Sequence, residues 1–551
     1  MKSLIKISIV FVIGAVCICS CDMDEFFKDQ RPPESVWINT STFERGLTSC
    51  YRHIYFVDRG YQAMIDYAQN GCSQLLPGTS TSVPYLELTR RSFDVQWDDF
   101  WREWYRAITI SNAAIELNDD FNGNPFGLDL SGSDYKDNYI RQLGEYYFVR
   151  GYAYFSLLRF YTPSYARNGS NDQRYIPFYT KIAKTMYDIR EAPLGTNEEI
   201  YAQVISDLRK AKELLPEKFN ANTMHRNYER SRTTTYSAAA LLAKVLFLMG
   251  KYSEAEGELN YVISASETKG LYALEAPVDA FNKLRAQGTA KETLLEFDSG
   301  RIGGTNVLDY MYFGMIINLN FRDASGGGRG TGMMKSGWNQ WSMSYWMLKE
   351  IGWMTDPQNG DYSLTQAALD DLRLDYNLGT YYHLLGYKVI TPNNNTNPEY
   401  FLYETMSEHS QVTTPQMYVD KYFRGGAPGT TESGRHTCFP LIRLADIYLI
   451  RAWVRWKGGN TSGAASDINK VWNRSNPNNP DIYTASNVNH DAIFREYLRE
   501  MTGETWTTDF MMATQMPIPP GDRVGVSPVQ PPYTGWYWPI SISELDLNPN
   551  Y

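Results

Sequence analysis

The chain has 551 residues, 43% of them hydrophobic and 21% charged, which is enough to bury a sizeable core. Its 62 acidic and 52 basic residues leave a formal net charge of −10 with no long Lys/Arg cluster, so a broad electrostatic nucleic-acid surface is disfavoured. Aromatic residues make up 14%, including 41 Tyr and 14 Trp, side chains that suit cores and wet binding surfaces alike.

The first element is an address. Lys2 and Lys6 precede the uncharged stretch Ile7 to Ser20, which is shorter than the roughly 20 residues of a membrane-spanning helix and fits a secretory h-region. It ends Ile18-Cys19-Ser20-Cys21, which resembles the lipobox of bacterial lipoproteins, so residues 1–20 are expected to be removed and Cys21 to carry lipid. Two or more acyl chains, at about 0.8 kcal/mol per buried methylene, anchor a protein stably. The alternative is an ordinary cleaved signal with an incidental cysteine. Residues 21–40 read as a tether. No later stretch approaches about 18 continuous apolar residues, so the mature chain is not expected to cross the membrane as a helix. Cys50, Cys72 and Cys438 then remain, an odd number without CxxC or zinc-type spacing. Neither a disulfide framework nor a metal knuckle is indicated, and a Cys50–Cys72 bridge stays open.

Helices dominate the chain beyond the tether. Ser41-x-x-Glu44 reads as a capping box opening a helix over 41–56, with Phe43, Leu47, Cys50, Tyr51 and Ile54 along one face. Further helices are predicted over 97–118 and 139–161. Thr196-x-x-Glu199 repeats the capping signal before Ile200, Val204, Leu208, Ala211 and Leu215, and Pro216 stops that run. The segments 237–249 and 254–264 form a helix-turn-helix around Gly250, with Ser253-x-x-Glu256 as a cap, and 441–457 and 462–474 form a second around Gly458-Gly459. Both resemble tetratricopeptide units, but the two turns lie too far apart for a tandem 34-residue period. The array must be interrupted. A last helix is predicted over 491–501.

The interruption, 270–435, has a different texture. Gly303-Gly304, Ser325-Gly326-Gly327-Gly328 and Asn393-Asn394-Asn395 break short apolar pieces into loops and short strands. Residues 57–96 and 162–190 are loop-like too. The expected fold is mainly α, with interrupted tetratricopeptide-like repeats over 41–269 and 436–551 and a loop-rich insertion over 270–435 that reads the ligand. Chemistry finds little support. The acid pairs Asp98-Asp99, Asp119-Asp120 and Asp370-Asp371 point apart on a helix, and six scattered histidines contain no HExxH. The glycine run 326–332 lacks the phosphate-loop Gly-Lys, so no enzyme activity, cofactor or metal is expected.

Several blocks resemble, in order, the SusD/RagB family of outer-membrane nutrient-binding lipoproteins. They are Pro32-Pro33-Glu34-Ser35-Val36-Trp37, Trp101-x2-Trp104-Tyr105-x2-Ile108-x3-Asn112, Gly144-Glu145-x2-Phe148-Val149-Arg150-Gly151-Tyr152-Ala153-Tyr154-Phe155, Arg232-Thr233, Pro440 to Leu449, Ile468-Asn469 and Trp538-Pro539-Ile540. Asp22, Asp24 and Glu25 look like the surface-export signal of Bacteroidetes lipoproteins. Trp453 stands where members usually carry an acid, and Glu500 to Trp506 is a degraded form of another family segment. Arg443 and Asp446, three apart, read as scaffold residues supporting one another on a helix.

The resemblance implies a surface-facing lipoprotein of the cell outer membrane, held by lipid at Cys21. It would bind a glycan and pass it to a SusC-like TonB-dependent transporter. Peptide cargo, or a periplasm-facing tetratricopeptide scaffold without sugar binding, are the alternatives. Sugar rings stack on Trp or Tyr while their hydroxyls need polar partners. One loop region offers Tyr61, Tyr67, Gln69, Asn70, Tyr85 and Trp97. A second offers Tyr310, Tyr312, Asn320, Arg322, Asp323, Trp338, Asn339, Gln340 and Trp341. In the family the glycan platform draws on corresponding loops, and Trp338, Trp341 and Tyr312 are the expected stacking residues, with Tyr310, Arg322, Asn339, Trp97, Tyr85 and Tyr67 around them. The competing expectation for Trp338 and Trp341 is burial on one helical face with Tyr345 and Trp346.

Overall fold

A computed structural model describes residues 36–55, 73–74, 95–219, 228–282, 290–298, 342–355, 365–373, 384–385, 387–390, 399–402, 416–417, 438–521, 527–533, 536–540 and 542–551. The longer helices are α1 (Thr40–Tyr55), α2 (Val95–Asp120), α3 (Ile140–Tyr161), α4 (Asn197–Leu214) and α5 (Thr235–Leu248) in the N-terminal half. They continue as α6 (Tyr252–Glu267), α7 (Leu444–Lys457), α8 (Thr461–Ser475), α9 (His490–Met501) and α10 (Thr507–Thr514). Successive helices pack side by side, α2 on α3, α3 on α4, α4 on α5, α5 on α6 and α7 on α8. The fold is mainly helical, built from tetratricopeptide-like pairs.

Two helices are buried all round, which places them at the centre of the molecule. α5 buries all its side chains, and α3 leaves only Ile140 and Tyr147 partly open. Such burial strands the charges that α3 carries, so each must be paired. Arg141, Arg150 and Arg159 are nine residues apart, about two and a half turns, so they alternate sides of the helix. Arg141 meets Glu44 of α1 at 2.7 Å, Arg150 forks onto Asp207 of α4 at 2.8 and 2.7 Å, and Arg159 forks onto Asp509 of α10 at 2.8 and 2.5 Å. The buried ion pairs fix which neighbours α3 accepts.

The interruption is resolved by pairing its ends. Strand Thr293–Asp298 runs antiparallel to strand Cys438–Arg443, with Asp298 opposite Cys438 and Thr293 opposite Arg443. The chain therefore leaves the array and returns to it at one hydrogen-bonded ribbon. α6 then packs directly on α7, where Arg451 reaches Asn260 at 2.9 Å and the Tyr448 hydroxyl donates to Glu267 at 3.0 Å. The repeat stack closes over the excursion.

Some local expectations need correction. The helix expected from 441 begins at Leu444, because 441–443 belong to the return strand. The Ser41/Glu44 box does not form. Asn39 caps α1 instead, its side chain accepting from Thr42 N at 2.9 Å, while Thr42 accepts from Asn39 N at 3.2 Å. Glu44 is drawn away by the guanidinium groups of Arg141 and Arg232. Ser253 makes no cap either, since α6 starts at Tyr252 and Glu256 faces Arg455 at 3.3 Å. Arg443 and Asp446 do not pair. Arg443 binds Glu292, Glu500 and Glu504, and Asp446 binds Lys244 and the Tyr497 hydroxyl. The box at Thr196 and Glu199 forms as expected. Cys50 is a buried free thiol 3.9 Å from the Ser111 hydroxyl, and burial pushes its pKa up to about 12.

Candidate functional site

Tyr67, Tyr85, Tyr310, Tyr312, Arg322, Trp338, Asn339 and Trp341, together with Cys21, lie outside the described residues. Trp97 falls in the first turn of α2, where only the backbone is described. What the structure does supply is the connection between the two aromatic regions. Ser73–Gln74 pairs antiparallel with Ser342–Met343, Ser73 opposite Met343 and Gln74 opposite Ser342. Gln416–Met417 lies on the far side of Ser342–Met343, and Leu384–Leu385 completes the four-stranded sheet. In the chain Trp341 immediately precedes Ser342, and Gln69 and Asn70 lie just before Ser73. Two segments nearly 270 residues apart in sequence, both rich in Trp, Tyr, Asn and Gln, thus run into neighbouring strands.

Of the residues in the competing expectation, only Tyr345 and Trp346 are described, and a strand precedes the helix that carries them. That strand is Ser342–Met343, and the Ser344 side chain caps the following helix, Tyr345–Glu350, by accepting from Met347 N at 3.1 Å. Tyr345 and Trp346 belong to that helix.

A feature not anticipated from sequence is a cleft of about 970 Å³ with three walls. One face of α2 supplies Trp101, Arg102, Tyr105 and Arg106, the segment 177–193 supplies Tyr179 and Ile189, and the short helix Ile542–Leu547 supplies Glu544 and Leu547. Tyr105 stacks on Tyr179 with centroids 5.9 Å apart and leans on Trp101 at 5.0 Å, while its hydroxyl donates inward to the Pro177 carbonyl at 2.7 Å. At the α1 end, His53 Nδ1 and Glu103 Oε2 are 2.5 Å apart, and the other Glu103 oxygen accepts from Arg106 at 2.5 Å. Burial pushes the Glu544 carboxyl up, against hydrogen bonds from Asn548 and Trp101 that favour its charged form. The spacing of Trp101, Tyr105 and Thr109, every fourth residue on a helix, was the available signal for one wall. The other walls come from distant segments and left none.

Among the described residues, no group of three or more His, Cys, Asp or Glu side chains is placed to hold a metal ion, and no helix is long and apolar enough to cross a membrane. Asp119 and Asp120 are exposed at the end of α2, and Asp371 is spent on Arg373. Trp453, where an acid is usual, donates its indole N–H to His490 Nδ1 at 2.9 Å, and burial holds the His490 pKa down.

A family profile described as starch-binding, associating with outer membrane, matches residues 67–247, and the SusD family profile matches residues 309–509. The chain belongs to the SusD/RagB family. SusD-like protein P2 of Formosa agariphila is 24% identical over 388 residues, covering 68% of this chain and 62% of that protein. The chain thus matches less than two thirds of the length of this relative. Among solved structures, a putative sugar binding protein from Bacteroides vulgatus superposes with a TM-score of 0.67 at 18% identity, over 94% of this chain and 98% of that one. A SusD superfamily protein from Bacteroides thetaiotaomicron gives 0.64 at 19%, over 93% and 99%. Surface glycan-binding protein A from Bacteroides uniformis gives 0.61 at 17%, over 93% and 98%. These superpositions establish the SusD-like fold. SusD-like proteins are outer-membrane-associated binding proteins.

Proposed function

We propose that this SusD-like protein is a lipoprotein of the outer membrane, anchored through Cys21 and facing the exterior, that binds a glycan and passes it to a SusC-like TonB-dependent transporter. Family membership carries the reading. The names of solved neighbours, a putative sugar binding protein and a surface glycan-binding protein, point the same way. In this reading the helical array, 41–269 and 436–551, is the frame, and the insertion 270–435 is the reader. The loop region 57–97 joins it through the sheet pairing of Ser73–Gln74 with Ser342–Met343. A platform assembled from both regions has the composition that saccharides require, aromatic faces for C–H surfaces beside amides and a guanidinium for hydroxyls.

The anchoring and hand-off are tested in cells producing wild-type protein or Cys21→Ser. Wild-type protein should incorporate labelled acyl chains, be cleaved by protease added to intact cells and co-purify with a TonB-dependent transporter. Cys21→Ser should lose the label and leave the membrane fraction. Wild-type protein that resists external protease while cells stay intact would contradict the outward orientation and favour a periplasm-facing scaffold.

A further inference from the structure

Exposed aliphatic side chains scattered singly need no explanation, but a cluster around one concavity does. Among the described residues, Ile189 (53% exposed) and Leu547 (58%) both line the cleft beside α2, and Leu545 (42%) sits on the same short helix as Leu547. Beneath them lie Tyr105 and Tyr179. On the α2 wall Arg102 and Arg106 stand one helical turn apart, each with about half its side chain in solvent, and Lys181 joins them in the lining. The two arginines share Glu103, which His53 also engages. With Glu103 between them, the two arginines leave the α2 wall with an excess of positive charge, while Asp188, Glu191 and Glu544 line the facing walls.

We propose that this cleft is a docking groove for an extended segment of another protein, one carrying an aliphatic or aromatic anchor next to carboxylates. The anchor would fill the space between Ile189, Leu547 and the Tyr105–Tyr179 pair, and the carboxylates would face Arg102 and Arg106. The side-chain types fit, because Tyr, Trp and Arg dominate the energetics of protein interfaces. A saccharide fits less well. The Tyr105 hydroxyl is already committed to Pro177, two backbone amides occupy the Asp188 carboxylate, and the exposed side chains of Ile189 and Leu547 favour an apolar anchor at the rim over a hydroxylated ring. The carboxylates of Asp188, Glu191 and Glu544 lie on the other two walls, which gives a bound segment a preferred direction. This inference does not depend on glycan binding at the loops.

The test uses the mature protein as bait for a phage-displayed random dodecapeptide library, followed by anisotropy titration of the enriched peptides. Selected peptides should share Leu, Ile or Phe flanked by Asp or Glu. Ile189→Asp and Leu547→Asp should each weaken them by about tenfold or more. Arg102→Gln with Arg106→Gln should weaken them and remove most of their salt dependence. All four positions are well exposed, so melting temperatures should not change. Absence of enrichment, enriched peptides that bind all variants equally, displacement of the peptides by oligosaccharide, or self-association of the protein through this face would each overturn the proposal.

Discussion

Arg443 is fully buried, and its guanidinium meets Glu292 at 2.6 Å, Glu500 at 2.8 Å and Glu504 at 2.7 and 2.6 Å. Arg474 shares Glu292 and Glu500, and Arg373, from within the excursion, joins through Glu500 at 3.4 Å while also holding Glu496 at 2.6 Å. Removing one partner from such a network leaves buried charge uncompensated. Arg443→Ala should therefore cost about 3–5 kcal/mol in chemical denaturation, and Arg443→Lys should fall between, because an ammonium cannot reproduce the fork. Glu44 makes a pH-dependent counterpart. Burial alone would raise its pKa, but the Arg232 and Arg141 guanidinium groups overcome that and hold it at about 2. A depressed carboxylate stabilises the fold above its unfolded pKa and loses that contribution as pH falls through the folded value. Between the ordinary value of 4.5 and about 2, wild-type protein should lose stability on the order of 3 kcal/mol that Glu44→Gln has already lost at pH 7. Denaturation of both proteins at pH 7, 4 and 3 would show the gap closing, and a constant gap would contradict the assignment.

At the scale of elements, Thr196 and Ser253 make a contrasting pair. Thr196→Ala removes a formed capping box and should cost about 1 kcal/mol, whereas Ser253→Ala and Ser41→Ala should stay within about 0.5 kcal/mol. Gly195 is a separate constraint, since a Cβ there would lie 2.5 Å from Phe178 Cβ and 2.9 Å from Ile200 Cγ1. Gly195→Ala should cost about 1–3 kcal/mol by forcing those side chains apart. The two helix-turn-helix glycines, Gly250 and Gly459, both have positive φ, at 79° and 86°, which is why each turn could be read from sequence. Helix positions were legible because apolar periodicity is local. The box at Ser41 was misread because the residues competing for Glu44, Arg141 and Arg232, arrive from α3 and from just before α5. Arg443 and Asp446 were misread for the same reason, since their partners lie on other segments. Periodicity reports a face, not what the face meets.

Across the whole molecule, the interrupted array was visible in the separation of two similar helix pairs, and the family in an ordered series of blocks. The ribbon Thr293–Asp298 with Cys438–Arg443 was not legible, because strand pairing across so long an excursion leaves no local mark. Neither was the cleft beside α2, whose walls meet only after folding. The two aromatic loop regions were marked by composition alone, and the sheet adds that they run into adjacent strands. We propose that these regions together hold a glycan. Calorimetric titration of mature wild-type protein and of Trp338→Ala/Trp341→Ala with a panel of neutral and acidic oligosaccharides tests it most directly, with circular dichroism to verify folding. Saturable binding by the wild type to at least one oligosaccharide, weakened about tenfold or more in a folded double variant, is the predicted result. Binding to none of the panel, or equal affinity in both proteins, would contradict it.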